Sequence, residues 1–142
     1  MNGSKSYVIP VPGHEDEIAT IKTHIESCGG TIICEDDSID NYEHCVGEAD
    51  VVVVLMCVAT KDNDLIDKII GFANKLGKRI VGIWSSNANQ STMPMAIHRY
   101  GDAVISLNAG DISASVCHTE NPWHTPEGRP RNPPKTPRHK KR

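Results

Sequence analysis

A chain of 142 residues, 38% of them hydrophobic, has the material for one domain and a short appendage. Its apolar runs stop short of the roughly 18 residues a membrane span needs, and Met1-Asn2-Gly3-Ser4-Lys5-Ser6 lacks a secretory leader's apolar stretch, so a cytoplasmic protein with no membrane partner is expected. The net charge of −3 conceals a split: from Thr119 onward seven Lys and Arg outnumber two Glu, leaving the rest at −8, a poor match for nucleic acid except through the tail.

The first strand is expected at Tyr7-Val8-Ile9-Pro10-Val11, followed by a turn at Pro12-Gly13-His14. Glu15, Asp16 and Glu17 then put negative charge at the start of a helix, where its dipole favours it. Ile18, Ile21, Ile25 and Cys28 recur at helical spacing, and Gly29-Gly30 end the helix. Thr31-Ile32-Ile33-Cys34 reads as the second strand, with Ser38 capping a short helix that runs to about Val46.

Val51 to Cys57 is apolar at every position, the habit of a central parallel strand buried on both faces. A helix is expected from Asp64 to Leu76, and a fourth strand at Ile80-Val81-Gly82-Ile83-Trp84. A polar loop over residues 85–92 leads to a short helix opened by Pro94, then a fifth strand, Ala103 to Leu107, and a last helix, Asp111 to His118. Strands alternating with helices imply an α/β fold: a flavodoxin-like, doubly wound, five-stranded parallel sheet of order 2-1-3-4-5 over residues 1–118. Residues 119–142 hold six prolines and one large apolar group, Trp123, so they are expected to form a disordered basic tail.

Cys28, Cys34, Cys45, Cys57 and Cys117 are odd in number and lack CxxC spacing. Unpaired thiols in a reducing compartment follow, with no metal centre and no required cofactor.

In such a sheet ligands meet the carboxyl ends of the strands. Pro12 and His14 lie after the first strand, Glu35 after the second, Thr60 and Asp62 after the third, and Ser85, Ser86 and Asn87 after the fourth. His14 also reads as a surface histidine, Glu35 as part of a solvated acidic loop, and Ser85 to Asn87 as a plain polar loop. Asp64 and Asp67 open the central helix and are the candidate catalytic carboxylates, though Asp64 or Asp62 also suits a helix cap. In the tail, Trp123 with Arg138, Lys140, Lys141 and Arg142 can dock an aromatic groove or an acidic surface, or add weak affinity for nucleic acid.

From Gly47 to Leu107 the chain resembles bacterial TIR-like domains. The shared pattern is Glu48-Ala49-Asp50 leading into Val51-Val52-Val53-Val54-Leu55, a helix ending at Ala73 through Gly77-Lys78, and Arg79-Ile80-Val81-Gly82-Ile83. Ile70-Gly71-Phe72-Ala73 and Gly77-Lys78-Arg79 are also similar to nucleoside 2-deoxyribosyltransferases. Both resemblances imply work on N-glycosidic bonds by a glutamate four residues before the alanine, and here that position is Ile69. The resemblance therefore implies a signalling or assembly protein, of the kind found in bacterial immune systems. It would bind a nucleotide or a protein partner, self-association included, without cleaving the ligand. The other outcome is a rebuilt enzyme, with Asp67 or Asp64 as the carboxylate and NAD or a nucleoside as substrate.

Overall fold

The computed structural model describes residues 4–35, 38–86, 93–118, 120–126 and 128–130. Five parallel strands run in the order β2-β1-β3-β4-β5: β1 Lys5–Val8, β2 Thr31–Ile32, β3 Val51–Met56, β4 Arg79–Trp84 and β5 Ala103–Ile105. β3 pairs with β4 along its full length, Val51 opposite Arg79 to Met56 opposite Trp84, and with β1 from Ser6 opposite Val51 to Val8 opposite Val53.

The run of valines in β3 is buried at every position because the sheet is covered on both sides. Val52, Val54 and Met56 join one core with α2 (Tyr42–Glu48), α3 (Asp64–Lys75) and α4 (Met95–Tyr100). Val51, Val53 and Leu55 join the other with α1 (Glu15–Ser27) and α5 (Ala109–Ile112), which continues as one π-helical turn, Ser113–Cys117. Gly82 in β4 permits the close approach: a Cβ there would lie 2.9 Å from Met56 Sδ. No described helix is long and apolar enough to cross a membrane.

The doubly wound sheet and its order match the sequence expectation. Several local expectations change. β2 keeps only two residues, and Asn63 caps α3, its side-chain oxygen accepting from Ile66 N at 3.1 Å, so neither Asp62 nor Asp64 does so. Ser38 caps a 3₁₀ turn, Ile39–Asn41, which precedes α2.

The expectation of unpaired cysteines is corrected. Cys28 is bonded to Cys117 and Cys34 to Cys45, with Cα separations of 6.2 and 6.1 Å, inside the span a disulfide bridges. The first pair is 89 residues apart in sequence and meets only because the end of α1 lies beside the π-helical turn. Cys57 alone is free, and buried. The argument for a reducing compartment from unpaired thiols accordingly falls away.

The tail is corrected over its first stretch. Pro122 O accepts from Val104 N at 2.9 Å and His124 N donates to Val104 O at 2.7 Å, so this segment lies parallel to β5 like a rudimentary sixth strand. Trp123, expected as an exposed partner anchor, is 6% exposed and part of the core with Trp84 and Ile97. The Arg79 guanidinium holds the approach, donating to Ser115 O, Asn121 Oδ1 and Glu120 O. One prolonged edge and one large aromatic suffice to order a segment whose composition alone argues for disorder. Arg138, Lys140, Lys141 and Arg142 lie outside the described residues.

Candidate functional site

The carboxyl edge of the sheet gathers His14 and Glu17 from the start of α1, and Ser85 and Ser86 from the end of β4. Glu17 is the hub. Its Oε1 accepts from Ser85 Oγ at 2.7 Å and lies 3.1 Å from His14 Nδ1, while its Oε2 accepts from Ser86 N at 2.8 Å. The carboxylate thus ties α1 to the end of β4. Gly13, His14, Asp16, Glu17 and Ser86 border a depression of about 340 Å³ there.

Burial works against charge on Glu17, but the Ser86 amide, the Ser85 hydroxyl and His14 outweigh it and bring the carboxyl from 4.5 down to about 2. Glu17 therefore stays ionised at neutral pH, an acceptor and a centre of negative charge. The neighbouring Glu15 carboxyl is also held below the usual range, by its own amide and by that of Gly13, to which it bonds at 3.1 Å. The N-terminus of α1 is thereby supplied with negative charge from within the chain, which disfavours a phosphate at this spot.

A depressed folded-state pKa adds stability that is complete above the unfolded value and lost as pH falls through the folded one. Glu17→Gln is expected to be less stable than the parent by up to about 3 kcal/mol at neutral pH, less whatever solvent screening removes. That gap should close as pH falls from 4.5 to about 2. Urea unfolding at several pH values measures it. A gap independent of pH would mean that the carboxylate charge contributes nothing.

The other expected residues scatter. Thr60 is buried and spent locally: its Oγ1 donates toward Leu55 O at 2.9 Å and accepts from Cys57 N at 2.9 Å, closing the turn after β3. Asp62 sits exposed at a positive φ of 54°, and Asp64 is exposed on the first turn of α3. Asp67 faces α4, where its Oδ1 accepts from Ala96 N at 3.3 Å, the capping contact Pro94 cannot supply. Ile69, at the position where the resemblance places a glutamate, is wholly buried beneath α3. Pro12 and Glu35 are exposed and border a second depression beside α1; Asn87 lies outside the described residues. Among the described residues no cluster suits a metal ion.

Glu17 escapes a sequence reading because three consecutive acids at a helix start look like dipole compensation. The available signal is its place one turn into the helix after β1, on the side that α1 turns toward the edge of the sheet.

A second polar cluster closes the end of β5. Asp111 Oδ2 accepts from Ser106 Oγ at 2.8 Å and Asn108 Nδ2 at 2.6 Å, and faces His124 Nδ1 at 3.7 Å. It joins the C-terminal segment to the β5–α5 loop, a structural task.

No family model matches the chain, and no curated protein matches it. Among solved structures it is similar to the Clostridium botulinum CMP N-glycosidase BcmB, at 18% identity over 56% of this chain and 68% of that one, with a TM-score of 0.46. A likeness of that size carries no argument about activity, and the fold assignment rests on the sheet itself.

Proposed function

We propose that this chain binds the sugar of a nucleoside or nucleotide at the His14–Glu17–Ser86 crevice and holds it without cleaving it. The observation that carries this reading is the Glu17 carboxylate, ionised and fixed by three partners at the edge of a doubly wound sheet, where such folds meet their ligands. An ionised carboxylate accepts hydrogen bonds from vicinal hydroxyls. The acidic rim repels phosphates, so a bound nucleotide would point its phosphate toward solvent. A carboxylate already engaged by Ser85 and Ser86, and with its pKa near 2, is a weak base at neutral pH. This agrees with the signalling or assembly role that the TIR resemblance implies.

A second reading has one observation in its favour: His14 Nδ1 lies 3.1 Å from Glu17 Oε1. An imidazolium there can protonate a departing base while the carboxylate faces the positive charge growing at C1′. Water then adds to C1′ and gives up a proton, completing N-glycosidic hydrolysis. In that case the carboxylate is Glu17, and Asp67 and Asp64 take no part.

Calorimetric titration with NAD, CMP and both ribo- and deoxyribonucleosides, with chromatography of each mixture, separates the readings. Saturable binding that weakens about tenfold or more in Glu17→Gln, with no released base, is expected. Release of nicotinamide or a base, abolished in Glu17→Gln, would establish the second reading. Absence of both binding and turnover sinks the two together.

A further inference from the structure

We infer that the depression between α1 and the segment leaving β2 is a base subsite, selective for nucleobases that carry an amino group. This inference rests on the reading of the crevice as a sugar site. Glu15, Ile18, Ala19 and Lys22 recur at the spacing that puts them on one face of α1, and that face borders a depression of about 420 Å³. Its volume lies in the range of small-molecule sites, roughly 300–1,000 Å³. Glu15 borders both depressions, so the two are neighbours across a single side chain.

The walls are apolar: Val11 and Pro12 from the loop after β1, Ile18 and Ala19 from α1. Against them stand two groups of opposite sign, Lys22 and Glu35. Neither side chain makes a hydrogen bond or ion pair with another described residue. An ammonium only donates and a carboxylate only accepts. A flat ring against the prolyl and aliphatic wall is therefore recognised by an acceptor turned to Lys22 and a donor turned to Glu35. Cytosine, adenine and guanine offer both, with an exocyclic amino group as donor. Uracil and thymine have no amino group, and their one base N–H, at N3, lies between two carbonyl oxygens that a carboxylate repels. The Cys34–Cys45 bond pins the backbone immediately before Glu35, which limits how far that carboxylate can drift.

The test is titration of the full chain with cytidine, adenosine, guanosine, uridine, 5-methyluridine and methyl β-D-riboside. Amino-bearing nucleosides should bind about tenfold tighter than uridine and 5-methyluridine, the scale of one well-made hydrogen bond to a charged group. Two variants, Glu35→Met and Ala19→Trp, should each erase that preference while leaving affinity for the riboside unchanged. Ala19 is exposed on α1, so the larger side chain fills the depression without entering the core. Equal affinity for all nucleosides, or a preference that survives both variants, overturns the base subsite even if Glu17→Gln still removes sugar binding. Failure of the riboside and of every nucleoside to bind the parent protein overturns the crevice reading itself, and the subsite with it.

Discussion

Reduction of the Cys28–Cys117 bond is expected to remove about 4–5 kcal/mol of stability, on the chain-entropy relation for the loop it closes. The bonded residues are 89 apart, so the cross-link denies the unfolded chain a large share of its conformations. Cys34–Cys45, only 11 apart, should contribute about 3 kcal/mol on the same relation. Against a typical total of about 5–15 kcal/mol, loss of the first bond alone leaves a marginal protein. Urea melts of the parent with and without reductant, and of Cys117→Ser, measure this. A thiol titration of the unfolded, unreduced chain supplies the direct check: one free thiol, Cys57, is expected. Five free thiols, or melts insensitive to reductant, would remove both cross-links from the account of stability.

Trp123→Ala is expected to cost about 3–5 kcal/mol, the range for emptying a buried aromatic site. Trp123 is 6% exposed, and its neighbours bond directly to Val104 on β5. Trp84 adds a further tie, its Nε1 donating to His124 O at 2.9 Å. Loss of this anchor should also free the outer edge of β5, and an unprotected edge strand invites pairing with other chains. Denaturant unfolding reads the first effect, and light scattering during heating reads the second. A change below about 1 kcal/mol would show that the segment rests on the domain without supporting it. Cys117 tethers the start of this same segment, so its loss and that of Trp123 should not add as independent effects.

The two results bear on what the edge of the sheet can do. A C-terminal segment committed to β5 cannot also present Trp123 to a partner. The crevice proposed for recognition lies elsewhere on the carboxyl edge, where α1 brings Glu17 to Ser85 and Ser86. The basic cluster from Arg138 to Arg142 stays a proposal for an anionic partner, now without its aromatic companion.

Hydrophobic patterning alone determined the architecture. β3 is apolar at every position, and only a strand covered on both faces tolerates that; α3 reads as a stripe of Leu65, Ile69, Phe72 and Leu76 flanked by Ile66, Ile70 and Ala73, and the structure turns it slightly, burying Ile66, Ile69, Ile70 and Ala73 and leaving Leu76 exposed. These signals are local, each set by the period of one element, so they survive in a linear string. The site is not local. Glu17 and Ser85 stand 68 residues apart, and nothing near either announces the other. Asp67 looked catalytic beside the central strand, yet the rotation of α3 turns it to the backbone of α4. Cys28 and Cys117 read as isolated thiols because pairing depends on a distance between Cα atoms that spacing along the chain does not encode. Trp123 looked exposed because its surroundings are rich in proline, whereas its burial follows from an open edge at β5. Period and polarity settle which face of an element is buried; which side chains then meet across elements is decided only when the helices dock at particular rotations on the sheet.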